Sequence, residues 1–252
     1  MPPVTSAANP LVKDVRRAIA RGSLTDEGWC VAESFHLLEE ALRSEVEIPV
    51  VIASESAQSR VAKLKTSRVV VLSDALFGTI ATTETNQGVM ALVRPPEWSI
   101  EQLFRGQSLV VVLDGIQDPG NAGTIVRAAE AFGATGVMFL KGTVSPYNPK
   151  TLRASAGSLF RVPVVAGIDS LLRDDVDIYA AMPFSGSEKL AGDVDFTRPC
   201  AIVIGSEGRG VSKELQGIAE NIAIPTVAVN SLNAAVAASV ILYEARRQRV
   251  RL

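Results

Sequence analysis

Three short polar stretches interrupt an otherwise apolar C-terminal half, and each follows a run that could be a buried strand. The first is Asp114-Gly115-Ile116-Gln117-Asp118-Pro119-Gly120-Asn121-Ala122-Gly123-Thr124-Ile125-Val126-Arg127. Gly120 and Gly123 permit positive φ or a close approach of backbone to a ligand. A helix opening here would turn its free amides toward an anion. Neither GxGxxG nor a Walker-type glycine-lysine loop is present, so a dinucleotide or triphosphate site is poorly supported. Asn121 is a neutral donor and acceptor near the strand tip, and Arg127 lies six residues on, inside the helix. Two readings stay open: Asn121 caps the helix and Arg127 pairs with a carboxylate, or both face a bound molecule. The second stretch is Ile202-Val203-Ile204-Gly205-Ser206-Glu207-Gly208-Arg209-Gly210. Glycines packed this densely after a buried strand serve a close approach; otherwise this is a plain turn with a solvated Glu207. The third runs from Ile224-Pro225 to Ser231-Leu232-Asn233-Ala234. Ser231 could cap the helix that follows, with Asn233 in its first turn. Asn, Arg, Glu, Ser and Asn make no metal set and no nucleophile–base pair. Group transfer by positioning residues fits them better than hydrolysis.

Alternating elements are needed to bring such loops together. Leu109–Leu113 is a continuous apolar run of the kind found in buried parallel strands. Gly136–Leu140, Asp177–Ala181, Ala201–Ile204 and Ile222–Ile224 read as further strands. Ala122–Phe132, Thr151–Leu159 and the alanine-rich Leu232–Arg249 read as helices. Alternating β and α units imply a parallel sheet with helices on both faces, and ligands in such sheets sit beyond the carboxyl ends of the strands. A seam falls at Arg94-Pro95-Pro96-Glu97-Trp98. It divides a small α/β module, residues 1–98, from a larger domain over residues 106–252. In the small module Pro10–Arg21, Val31–Ser44 and Ser56–Lys65 read as helices, and Val50–Ala53, Val69–Leu72 and Gly88–Val93 as strands.

Composition narrows the classes further. The chain has 252 residues, 47% hydrophobic and 21% charged, which is globular and not disordered. Cys30 and Cys200 stand 170 residues apart, so neither a disulfide framework nor a cysteine-built zinc site is expected. His36 is the one histidine, which disfavours a histidine triad or a multi-histidine metal site. No apolar leader or membrane-spanning run is found, so a cytoplasmic location with no membrane partner is expected. The formal net charge of −2 argues against a broadly basic nucleic-acid coat. Local basic clusters remain: Lys13, Arg16, Arg17 and Arg21 near one end, Arg246, Arg247, Arg249 and Arg251 near the other. Such clusters are ordinarily solvated faces.

Taken together and in order, the three loops resemble the SpoU/TrmH family of RNA ribose 2′-O-methyltransferases. The matching stretches are DPGNAGTIVRAAEAFGATGV (118–137), IGSEGRGVS (204–212) and SLNAAVAASVILYEARRQR (231–249). SPYNPKTLRASAGSLFRVPV (145–164) is similar to the ribosomal-RNA-directed branch. The resemblance covers roughly residues 108–249. It implies a parallel-sheet domain with a deep trefoil knot, S-adenosylmethionine as methyl donor, no metal, and a homodimer with its site near the subunit interface. The N-terminal module is similar to ribosomal-protein-like substrate-binding domains, through Asn9-Pro10-Leu11-Val12-Lys13 and Asn86-Gln87-Gly88-Val89. Lys13, Arg16, Arg17 and Arg21 then become phosphate contacts.

Residue roles follow from the same resemblance. Asn121, Arg127, Glu207, Ser231 and Asn233 are the implied catalytic set. Arg127 would hold the phosphate beside the target ribose and stabilise the developing alkoxide, since a guanidinium is a poor base. Leu140, Gly205, Ile224 and Leu232 would hold the cofactor. The stretch Thr226-Val227-Ala228-Val229-Asn230 departs from the family pattern: it lacks a glycine and is about one residue shorter. The implied substrate is 23S or other ribosomal RNA. Two alternatives are a transfer-RNA 2′-O-methyltransferase and a catalytically degenerate RNA-binding relative.

Overall fold

A computed structural model describes residues 2–64, 68–170, 175–229 and 231–250. By contacts the chain forms two compact units, residues 1–96 with 147–160, and residues 97–146 with 161–252. The break after Pro96 lies in the Pro-Pro seam. The excursion of residues 147–160 into the first unit is not visible as a seam. Its causes are side-chain contacts: Arg153 donates to Thr82 Oγ1 at 3.0 Å, and Asn148 lies where a side chain at Gly22 would go.

The first unit begins with α1 (Pro10–Arg21), which Asn9 caps by accepting from Leu11 N at 3.0 Å and which Gly22 ends in the left-handed conformation. Pro10 suits the first helical position, where no amide bond is lost. Then come β1 (Cys30–Glu33), α2 (Phe35–Arg43), β2 (Val50–Ser54), α3 (Gln58–Val61), β3 (Val69–Leu72), α4 (Asp74–Gly78) and β4 (Val89–Val93). The strands pair in the order β1-β4-β2-β3, with β2 and β3 parallel and the other pairs antiparallel. Val12, Val15 and Ala18 of α1 are buried with Val31, Ile52, Met90 and Leu92 in one apolar cluster.

The reading of Val31–Ser44 as one helix is corrected. Residues 30–33 are a strand buried on both faces, and a short apolar run does not reveal its period. Ser34 then caps α2. The helix read over Ser56–Lys65 is a 3-10 turn at Glu55–Ala57 followed by α3, and Lys65 lies outside the described residues. That over Thr151–Leu159 is α7 (Pro149–Ser155), broken by positive φ at Ala156 and Gly157 before a 3-10 turn at Ser158–Phe160.

The second unit contains α5 (Ile100–Leu103), β5 (Leu109–Asp114), α6 (Pro119–Phe132), β6 (Gly136–Leu140), β7 (Val164–Ile168) and β8 (Asp177–Met182). It continues with β9 (Lys189–Leu190), β10 (Cys200–Gly205), α8 (Lys213–Gln216), β11 (Glu220–Ala223) and α9 (Ala234–Arg249). All seven strands run parallel, in the order β7-β6-β5-β10-β8-β11-β9. Later strands enter between earlier ones: β10 between β5 and β8, β11 between β8 and β9. The sheet winds one way from β5 through β6 to β7 and the other way beyond β10. The crevice at the carboxyl ends of β5 and β10 is therefore where a ligand is expected. β7 and β9 were not read from the sequence; β7 exposes its middle residues and β9 is two residues long.

α6 packs against α9. The end of α9 is held by Arg249, expected as part of a solvated cluster. It donates instead to four carbonyls: Phe196 O at 2.6 Å, Gln107 O at 2.6 Å, Arg198 O at 2.7 Å and Ser108 O at 2.9 Å. Its neighbour Arg247 pairs with Glu244 at 2.7 Å, and Arg251 lies outside the described residues. Among the described residues no helix is long and apolar enough to cross a membrane.

Candidate functional site

The carboxyl ends of β5 and β10 are tied before any functional side chain is placed. Asp114, last in β5, accepts from Ser212 N at 2.7 Å, which fixes the stretch after β10 against the tip of β5. The loop after β5 is pinned by the loop after β6: Thr143 Oγ1 accepts from Gly115 N at 3.0 Å, and Ile116 O accepts from Val144 N at 2.8 Å. After β10, Ser206 and Gly210 exchange backbone bonds at 3.2 and 2.8 Å, closing a tight loop with Glu207 near its tip. Gly205 is required there: a Cβ would collide with the backbone of Gly210 and Val211.

Two helices then start toward this point. Asp118 caps α6 by accepting from Asn121 N at 2.7 Å. The reading of Asn121 as that cap is corrected; Pro119 begins the helix, so Asn121 sits in its first turn and its side chain does not cap the helix. Asn233, not Ser231, caps α9, accepting from Ala235 N at 2.9 Å and Val236 N at 3.2 Å. Because its carbonyl oxygen is taken, its amide nitrogen must point away from the helix. It donates to Asn121 Oδ1 at 3.1 Å. Asn121 therefore turns its own nitrogen outward and donates to Glu207 Oε1. Every donor points the same way, from the α9 amides through two side-chain amides to a carboxylate. Chains of this sort polarise one another, and the order fixes both amide orientations. Residues from three loops, 86 and 112 positions apart in pairs, become one group.

Beside this relay lies a cavity of about 530 Å3, within the usual range for small-molecule sites. It sits at the carboxyl ends of β8, β10 and β11 and against the start of α9. Gly205, Ile224 and Leu232 line it, with Glu207, Ser231 and Asn233 at its polar side. Leu140 does not line it. That residue is buried at the end of β6, two strands from β10 in the sheet. Met182, Pro183 and Phe184 do line it and were missed. Their signal was a strand ending at a proline, but only the adjacency of β8 to β10 gives it meaning. Arg209 also borders the cavity, a cation beside the glycines.

The remaining expected residues lie apart. Arg127 is exposed on α6 and pairs with no carboxylate among the described residues. Six helical positions put it about 9 Å along and about 240° around from Asn121, so it does not join the relay. On α1, Lys13 and Arg21 are exposed. Arg17 pairs with Asp14 and Asp26, and Arg16 donates to Thr79 Oγ1 at 3.0 Å. Among the described residues no group of three or more His, Cys, Asp and Glu side chains is arranged to hold a metal ion.

The geometry suits S-adenosylmethionine. The apolar walls accept a nucleoside, the bare backbone at Gly205 allows close approach, and Glu207 offers a negative charge toward a sulfonium. Comparison with known proteins points the same way. Residues 108–243 match the SpoU rRNA Methylase family, and residues 9–91 match the MRM3-like substrate binding domain. The chain is 32% identical to the 23S rRNA (guanosine(2553)-2′-O)-methyltransferase RlmP of Bacillus subtilis (strain 168), over 98% of this chain and 100% of that one. It is 32% identical to a 23S rRNA (uridine(2479)-2′-O)-methyltransferase of Streptomyces viridochromogenes, over 78% of this chain and 73% of the relative. The crystal structure of the SpoU methyltransferase AviRb from Streptomyces viridochromogenes with the cofactor AdoMet superposes with a TM-score of 0.80. It is 25% identical and covers 96% of this chain and 99% of that one.

Proposed function

Because the chain belongs to the SpoU rRNA methylase family, we propose that it methylates a ribose 2′-hydroxyl of ribosomal RNA with S-adenosylmethionine as donor. The observation that carries this reading is the complete relay Asn233–Asn121–Glu207 at the edge of a cavity of about 530 Å3. A degenerate relative would have no need to keep three side chains from three loops in one directional chain.

Gly205, Ile224 and Leu232 would hold the cofactor, with Met182 and Phe184 completing the apolar wall. Its sulfonium supplies an electrophilic methyl without help from a metal. The protein must then position the ribose hydroxyl and stabilise the charge that grows on its oxygen. Asn233 and Asn121 hold Glu207 in one orientation, and Ser231 adds a hydroxyl at the same mouth. Arg127 is free of carboxylates and solvent-facing, so it is the group available to a phosphate. A guanidinium is a poor base, so its part here is to stabilise charge.

Three further parts belong to this reading. The strand order supports a trefoil knot, since β10 and β11 enter the sheet between strands already laid down. Val236, Val240 and Tyr243 form an exposed apolar stripe along α9, which supports a homodimer through that face. Lys13 and Arg21 of the first unit would contact RNA phosphates, in a cytoplasmic enzyme.

Calorimetric titration with S-adenosylhomocysteine tests the cavity, and ribose mapping of ribosomal RNA after incubation with S-adenosylmethionine tests the reaction. Binding near one ligand per chain and one new 2′-O-methyl site are expected. Absence of both, with RNA present, overturns the reading.

A further inference from the structure

The first unit holds a cleft of about 460 Å3 that the transfer chemistry does not use. It opens at the carboxyl ends of the parallel neighbours β2 and β3, beside the turn that enters β4. Buried Ala57 and Phe77 lie at its base, and the surface it exposes is mainly polar. Its rim carries Ser54, Ser56, Arg60, Asp74, Asn86 and Gln87.

The rim is oriented by the backbone around it. Asp74 Oδ1 accepts from Ser56 N at 3.1 Å and Ser56 Oγ at 2.8 Å. These two bonds, the backbone one first, hold its carboxyl below the ordinary range. Ser54 adds a weaker side-chain bond, and an ionised carboxylate has about four acceptor positions, so these serines do not exhaust it. Asn86 Oδ1 accepts from Gly88 N at 3.1 Å and Gln87 Oε1 from Phe35 N at 2.9 Å. Both amides thus spend their oxygens on backbone and turn their nitrogens elsewhere as donors. Arg60 sits over Phe35, its Cζ 3.8 Å from the ring centroid. Ser34, just before Phe35, has φ 137° and ψ 158°, a region that is essentially glycine's own. The fold keeps a strained serine where it presents Phe35 N to Gln87.

A carboxylate here disfavours a phosphate. A rim that mixes donors and acceptors suits a flat ring with a mixed edge. Among the RNA bases, guanine presents two adjacent donors, N1–H and N2–H, beside one acceptor, O6, on its pairing edge. The donors meet Asp74 and the acceptor meets the amides of Asn86 and Gln87, with Arg60 available to stack. We propose that this cleft takes an unpaired guanine extruded from the RNA substrate, a reading that rests on the RNA-directed function above.

The test uses the full chain and fluorescence anisotropy with labelled seven-nucleotide oligouridylates carrying a central guanosine, inosine, adenosine or uridine. The guanosine oligomer should bind about tenfold more tightly than the uridine one, and inosine, which lacks the N2 amino group, should lose most of that gain. Asp74→Asn keeps an oxygen for Ser56 and should abolish the preference. Gln87→Glu keeps the Phe35 bond, removes the donor and should lower the preference too, which covers the case in which the first variant fails to fold. Equal binding of the four oligomers, or an intact preference in both variants, overturns the proposal. S-adenosylhomocysteine titration of the same proteins separates the two readings. Normal cofactor binding and methyl transfer without guanine preference overturns the cleft alone. Guanine preference without cofactor binding or transfer overturns the transferase reading and leaves the cleft standing as an RNA site.

Discussion

The two clefts are built in opposite ways. The transfer cavity has walls of backbone and apolar side chains, and two of its polar members, Glu207 and Asn233, are tied together through Asn121 from a third loop. The cleft of the first unit exposes mainly polar groups: Asn86 and Gln87 are each anchored to nearby backbone, while Ser54, Ser56 and Asp74 are joined by side-chain bonds. A wall of backbone tolerates few additions, and a relay fails as a unit. Amides anchored separately, as Asn86 and Gln87 are, change one contact at a time. The first construction suits a ligand that never varies and the second a ligand chosen by sequence.

The largest effect should come from Gly205→Val, because the added carbons meet the backbone of Gly210 and Val211. Cofactor affinity should fall by about 3 kcal/mol, roughly a hundredfold, in a calorimetric titration. A variant that binds S-adenosylhomocysteine normally would show that the cavity is not the cofactor site. Next is the relay. Asn233→Ala removes the α9 cap, costing about 1 kcal/mol of stability, and should lower single-turnover methyl transfer by about a hundredfold. Asn233→Asp keeps the cap but cannot donate to Asn121; its melting temperature should stay near wild type while its rate falls as far. Equal rates for Asn233→Asp and wild type would mean that only the cap matters. Arg127→Ala should lower transfer by about ten- to a hundredfold, with stability changed by under about 0.5 kcal/mol and cofactor affinity unaltered. Loss of cofactor binding in that variant would move Arg127 to the cavity side. The smallest effect compares one buried thiol from each unit. Burial pushes Cys30 from 9.0 to about 12 and Cys200 to about 11. A raised folded value means the stabilisation is whole below pH 9 and is lost as pH climbs toward those values. Urea midpoints should therefore hold from pH 7 to about 9 and fall above it, and neither thiol should react with iodoacetamide at pH 8 in the folded protein.

The sequence makes the relay's members legible and hides their connection. Asn121, Glu207 and Asn233 each stand out as a polar residue beside small ones after an apolar run, but their meeting depends on β5 lying next to β10, a pairing between strands 91 residues apart by register. The same dependence hid Met182 and Phe184, and it made Leu140 look like a lining residue when the strand order puts it elsewhere. Continuous apolar runs such as Leu109–Leu113 read plainly. The short Cys30–Glu33 did not, because four buried residues have no period to read. Arg17 has a carboxylate within α1, Asp14, that the helical spacing makes readable, and a second, Asp26, from the turn beyond the helix that it does not.

Arg249 sets the order of events in the life of the chain. Its guanidinium reaches Gln107 and Ser108 across 142 and 141 residues, so the start of β5 waits, unlatched, until nearly all that follows has been made. Contacts this distant in sequence are reached slowly. The first unit gathers residues 1–96 and 147–160, all of them made before α9. The cavity for the methyl donor, whose wall includes Ala237 and Ile241 of α9, is therefore the last part of the chain to be completed.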